Sequence, residues 1–345
     1  MSFRKLTRFW MLLIVASMLL SACKSAATGS NEPTEYIIDP MQSDTEEPTT
    51  EVLAPEPTLP PTFTPIPTAT LPPEVPTPAP TPTMTLDPYH NHIANAKAFF
   101  DSQQFDQALA EIDLALQIDP KLPDAYIQRG RVYLAQAKFD EAITEFNLAL
   151  NYDPNSKEAY LGRAAGFASK ESFAQALKDL NKALELDPNY VDALINRAIV
   201  YIAQKNYDSA LTDLNAALAL APDDPEIYYN RGNLYMVRQE FETALADFNQ
   251  LITMEPDKAS SYYNRGIAYL TIDEVDKAIQ DLTQAITIDP NMLEAYFYRG
   301  VAYEQKGEIQ NAINDFQFVY DRTTDENFRK LAKDELDKLR ATATP

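Results

Sequence analysis

A proline returns every 34 residues along much of this chain, at Pro120, Pro154, Pro188, Pro222, Pro256 and Pro290. No other feature restricts the fold so strongly. A unit of this size cannot bury an apolar face alone, so copies must stack and share one continuous core. The clearest copy is Pro225–Lys258. With the recurring proline set at place 32, the units begin at Tyr89, Pro123, Lys157, Val191, Pro225, Ala259 and Leu293.

Within a unit the apolar residues fall at places 4, 8 and 11, then at 17, 20, 21, 24 and 27–28. This is helical spacing twice over. A polar turn such as Lys138-Phe139-Asp140 separates the halves, and Asp-Pro typically closes the second. Proline forces the residue before it out of the helical region, which ends the helix there. Place 8 is small (Ala96, Gly130, Ala164, Ala198, Gly232, Gly266, Gly300), and place 20 is alanine from Ala108 to Ala312. Place 11 is aromatic from Phe99 to Tyr303. Each unit therefore reads as a helical hairpin whose small residues let its two helices approach closely, with the aromatic filling the space beside them.

This pattern resembles the tetratricopeptide repeat (TPR) family, with Tyr126, Tyr160, Leu194, Tyr228, Tyr262 and Tyr296 at the family's tryptophan place. The resemblance covers 89–324. It implies an all-α fold, an α-solenoid of about seven helix-turn-helix hairpins wound as a right-handed superhelix. The end units depart, with His92 at the aromatic place of the first and Thr324 in place of the last proline. Residues 325–345 add a helix and tail. Phe328, Leu331, Ala332, Leu336 and Leu339 form a stripe suited to covering the last repeat, and Thr323 with Glu326 resembles a capping box. An independent partner-binding helix is the alternative.

The other end is a different material. Residues 1–22 carry Arg4, Lys5 and Arg8, then the short apolar run Phe9–Leu20, as an export signal does. Leu20-Ser21-Ala22-Cys23 resembles the bacterial lipobox, which implies acylation, palmitate among the chains, at Cys23. The protein is then an exported lipoprotein, held on the outer side of the cytoplasmic membrane or at the cell surface. Residues 23–88 hold most of the chain's 25 prolines, interleaved with threonine. Such a segment cannot bury a core and suits a disordered spacer of polyproline II character. At ~3.1 Å per residue it reaches on the order of 150–200 Å. A proline-rich docking ligand is the rival reading.

Little here could carry chemistry. The two histidines, His90 and His92, sit together at the linker junction, and Cys23 is the single cysteine. No phosphate loop, nucleophilic set or metal-ligand cluster can be assembled, so no enzyme, cofactor or metal is expected. A net charge of −22 argues against nucleic acid, which needs a basic face. It leaves room for a cationic partner, although acidic surfaces also simply solubilise. Arg129, Arg163, Arg197, Arg231, Arg265 and Arg299 all stand at place 7, and place 23 is always acidic, from Glu111 to Asp315. A structural ion-pair row is the expectation, ahead of an anion-binding ladder.

In the TPR family the first helix of each hairpin lines the concave wall through places 2, 5, 6, 9, 12 and 13. Those places here hold Asn196, Asn230 and Asn264, with Asn233 one turn on from Asn230. Tyr229, Tyr263 and Phe297 stand beside them, and Tyr298 completes the set. Exposed amides beside aromatic rings suit the backbone of an extended peptide, although these residues also belong to the family's general pattern. The expected function is a membrane-anchored scaffold that holds a protein or peptide partner in its concave groove at the cell envelope. The alternative is a cell-wall or exopolysaccharide-binding module assisting envelope polymer synthesis or export.

Overall fold

The computed structural model describes residues 88–343, which form fifteen helices and no strand. The expected signal segment 1–22, the acylated Cys23 and the spacer 23–88 fall outside the described residues, apart from Pro88.

Seven antiparallel hairpins follow one another. They are α1 (Pro88–Asp101) with α2 (Phe105–Ile118), α3 (Pro123–Ala135) with α4 (Phe139–Tyr152), and α5 (Lys157–Ser169) with α6 (Phe173–Leu186). Next come α7 (Val191–Ala203) with α8 (Tyr207–Leu220) and α9 (Pro225–Val237) with α10 (Phe241–Met254). The last two are α11 (Ala259–Thr271) with α12 (Val275–Ile288) and α13 (Leu293–Lys306) with α14 (Ile309–Arg322). A single helix, α15 (Glu326–Ala343), closes the array. Each hairpin packs on the next, and most first helices also touch their successors, as α7 touches α9. The result is the all-α superhelix that the period demanded.

The core is a ladder along this stack. Its rungs are the place-24 side chains Ile112, Phe146, Leu180, Leu214, Phe248, Leu282 and Phe316, all essentially buried. Each stands opposite the small place-8 residue. A Cβ built on Gly130, Gly232 or Gly300 would meet the Phe146, Phe248 or Phe316 ring within 2.8, 2.6 and 3.0 Å. Where the rung is leucine, as at Leu180 and Leu214, place 8 is alanine; Gly266 beside Leu282 departs from that pairing, with the nearest leucine atom 3.0 Å from a built Cβ. The gap at place 8 is thus filled by the side chain at place 24. Place 11 lies to the side, half-buried.

The inter-helix turns share one conformation. Place 15 has positive φ in every unit: Gln103, Ala137, Glu171, Lys205, Gln239, Asp273 and Gly307. Only the last is glycine. The next amide reaches back to the carbonyl at place 11, as in Lys138 N to Tyr133 O at 2.8 Å, which closes the helix with a left-handed residue. At the other junction Asp119, Asp153, Asp187 and Asp289 are extended before proline, and each side chain accepts from an amide two residues on.

At the C-terminus Asp325, and not Thr323, caps α15. Its Oδ1 accepts from Asn327 N at 2.7 Å and Phe328 N at 2.9 Å. The carboxylate lies closer to the free amides and accepts with full charge, so Thr323 is left to close the preceding turn, accepting from Asp325 N at 3.2 Å. Ala332, Leu336 and Leu339 of α15 are buried against the last repeat, with Phe328 and Leu331 half-covered beside them.

Candidate functional site: the first-helix wall and its polar rows

The arginines of place 7 build the first polar row. Arg163, Arg197, Arg231, Arg265 and Arg299 each grip the place-23 aspartate of their own hairpin through Nε and Nη2. Distances run from 2.7 to 2.9 Å. The carboxylates Asp179, Asp213, Asp247, Asp281 and Asp315 are nearly buried. Arg129 holds Glu145 by Nε alone, and burial pushes the Glu145 carboxyl up against that pull.

A further contact was not foreseen from the sequence. The free Nη1 of each arginine crosses to place 25 of the preceding repeat. Arg163 reaches Asn147 at 2.7 Å, Arg197 reaches Asn181 at 2.8 Å, Arg231 reaches Asn215 at 2.9 Å and Arg265 reaches Asn249 at 2.7 Å. Arg129 and Arg299 reach Asp113 and Thr283. One planar fork thus ties three helices together. Tyrosines flank the guanidinium, as Tyr228 and Tyr235 flank Arg231 at 5.8 and 5.9 Å. The recurring Asn at place 25 was the available signal, masked because a surface asparagine is ordinary. Arg129 apart, each of these arginines thus spends Nε, Nη2 and Nη1 on groups of the array itself, as Arg231 does on Asp247 and Asn215. In the first repeat, which lacks the arginine, His92 Nδ1 meets Glu111 at 2.6 Å instead, and Asn95 Nδ2 lies 3.4 Å from the same oxygen.

The second row comprises the eight residues expected on the concave wall. Asn230 is 0% exposed, Asn196 and Asn233 2%, Tyr263 4%, Tyr298 5%, Asn264 6% and Phe297 7%. Tyr229 is half-covered. Phe297 belongs to packing. Its ring meets Tyr298, Phe316 and Phe328 at 5.6, 5.2 and 5.4 Å, because the C-terminal helix brings Phe328 onto it. Tyr263 and Tyr298 meet edge-on at 6.0 Å. Burial pushes both phenols well up, with Glu294 adding to it in each case.

The amides behave differently. Asn196 and Asn230 each donate Nδ2 to the carbonyl one turn back, at Asp192 and Glu226. Their Oδ1 atoms are buried with no partner, as are Asn233 Nδ2, Glu226 Oε1 and Ser261 Oγ. Burial, and then the charges of Asp224 and Asp192, push the Glu226 carboxyl up to about 7. Asp192 is exposed in area yet hemmed in by protein. That desolvation, with Asp224, pushes its carboxyl up too.

Family models agree with this geometry. Tetratricopeptide repeat models match residues 99–165, 166–205, 200–237 and 232–291, an unbroken run over more than half of the chain. The chain belongs to the tetratricopeptide repeat family. The TPR array is likewise similar to solved structures. A tetratricopeptide repeat protein from Parabacteroides merdae aligns at 21% identity with a TM-score of 0.55, over 73% of this chain and 98% of that one. PilF of Pseudomonas aeruginosa aligns at 18% identity and 0.53, over 61% and 96%. In the APC/C hetero-tetramer Cut9-Hcn1 the match is 19% identity and 0.58, over 73% of this chain and 52% of that one, so the TPR array spans about half of that larger chain. No curated protein matches the sequence. The TPR fold is that of a protein-interaction scaffold, and no enzymatic family is indicated. Among the described residues no helix is long and apolar enough to cross a membrane, and no cluster of His, Cys, Asp or Glu could hold a metal ion.

Proposed function

We propose that this TPR protein is a lipid-anchored scaffold of the cell envelope, which holds an extended segment of a partner protein along its first-helix wall. One observation carries the binding half of this reading. Buried amide atoms on successive first helices stand without partners, at Asn196, Asn230 and Asn233. A buried polar atom left unsatisfied costs about 1–3 kcal/mol. An array that keeps several in register gains when a ligand supplies the missing bonds. Main-chain N–H and C=O groups of an extended segment alternate in the way such a row requires. The anchoring half rests on the sequence Leu20-Ser21-Ala22-Cys23 after a short apolar run, with the proline-rich spacer lifting the array from the membrane.

Two measurements test the halves separately. A photo-crosslinking residue at Tyr229 of the full chain, activated in intact cells, is expected to trap a discrete protein, and Asn230→Asp is expected to abolish that product. Capture of glycan alone would overturn the reading in favour of envelope polymer. For the anchor, Cys23→Ser is expected to move the chain from the membrane fraction to the soluble one. Retention in the membrane would defeat lipidation at Cys23.

A further inference from the structure

Around Asn196, Glu226 and Asn230 the open side-chain atoms are oxygens, while the open donor Asn233 Nδ2 belongs to the next turn of α9. Asn196 and Asn230 give Nδ2 to their own helices at 2.8 and 2.9 Å. Those bonds determine which amide atom is left over. It is the carbonyl oxygen in both, buried and unpartnered. Glu226 Oε1 stands in the same condition in the turn to which Asn230 bonds. Asp224 caps that turn, accepting from Glu226 N at 2.9 Å. Asp192 occupies the equivalent place on α7, the first helix of the preceding repeat, which touches α9. Its charge reaches Glu226.

The cations in range do not bond the open oxygens. Lys258 bears on Glu226 but pairs with Glu255 at 3.2 Å. Arg131 and Lys157 bear on Asp192, and Lys157 is bound to Asp187 at 2.5 Å. Carboxylates in a first helical turn do answer the helix dipole. That accounts for Asp192 and Glu226 being acidic. It does not account for a carboxylate oxygen and two amide carbonyls buried without a donor.

We infer that Asp192, Asn196, Asp224, Glu226 and Asn230 form a subsite for one lysine or arginine side chain of the bound segment. The inference rests on the groove reading above and narrows it to a segment carrying a basic residue, whose side chain, in place of the main chain, answers the oxygens of Asn196 and Asn230. Ammonium and guanidinium groups offer several donors and no acceptor, the complement of what is left open here. Hydrogen bonds of this kind are charge-assisted and roughly twice as strong as neutral ones. The chain's net charge of −22 draws such a segment in.

A random-peptide display library panned on the full chain at mildly alkaline pH tests the assignment. The enriched peptides are expected to share a lysine or arginine at one position. In a synthetic copy, replacing that residue by norleucine is expected to weaken binding by about tenfold or more. Glu226→Gln, which keeps the side-chain shape, is expected to weaken the original peptide by a similar factor. The two losses should not add, because each removes the same contact. Enrichment with no basic position, or a lysine whose replacement is felt equally by wild type and Glu226→Gln, would overturn the subsite and leave the groove standing. Absence of any enriched peptide would overturn both.

Discussion

A Cβ added to Gly232 would stand 2.6 Å from Cε1 of Phe248, whose ring is 0% exposed. The glycine and the phenylalanine are therefore one packing decision, made on two helices of the same hairpin. Alanine is the better helix former by about 1 kcal/mol, yet the ring has nowhere to go. Gly232→Ala is expected to destabilise the array by about 1–3 kcal/mol, as overpacked cores do. Gly266→Ala faces a leucine at 3.0 Å and should cost less. Urea midpoints of the two variants decide, and equal midpoints would contradict this packing.

The arginine row predicts a strong non-additivity. Arg231→Met leaves Asp247 nearly buried with its charge unanswered. A loss of about 3–5 kcal/mol is expected. Adding Asp247→Leu should restore most of it, since replacing a buried pair by apolar groups is often nearly neutral. Thermal unfolding of the single and double variants checks this. Two losses that simply sum would mean that the pair acts independently.

Glu226 gives a pH signature of its own. Its folded value of about 7 exceeds the ordinary glutamate value of 4.5, so the folded chain binds more protons in between. Stability must then fall as pH rises through that window and level off above it. Glu226→Gln should remove the slope and raise stability above pH 7 by at most about 3 kcal/mol. Below the unfolded value the variant and the wild type should coincide. A wild type whose stability rises between those limits, relative to the variant, would contradict the burial.

The first repeat behaves in the opposite sense. The hydrogen bond from His92 holds the Glu111 carboxyl below its ordinary value. Its contribution is therefore complete above the unfolded value and is lost as pH falls through the folded one. Protection of the α1 amides, measured against their intrinsic exchange rates, should fall at acid pH in the wild type. Glu111→Gln should show that lower protection already at neutral pH, and unchanged protection would show that the contact holds nothing.

The turn at Ala137 carries φ of 56°, a conformation that costs a non-glycine residue roughly 1 kcal/mol. Ala137→Gly is expected to raise the urea midpoint slightly, by the equivalent of about 0.5 kcal/mol, after the added freedom of the unfolded chain is subtracted. A lowered midpoint would show that the strain is taken up elsewhere.

The sequence by itself determined the period, the two helices in each unit and the place where each ends. Those properties are local. Pro154 cannot donate a hydrogen bond or tolerate a helical residue before it, and apolar spacing selects the buried face whatever the neighbour is. Pairing of Arg231 with Asp247 was also legible, because both recur at fixed places. Only the tertiary structure decided what lies opposite what. That Arg231 also reaches Asn215 of the preceding repeat, that Asp325 caps α15 ahead of Thr323, and that Phe297 turns into the core depends on how helices cross. So does the burial of Asn196 and Asn230 with one oxygen each left open. Crossing geometry follows from the summed packing of many side chains at once, and no single position in the chain encodes it.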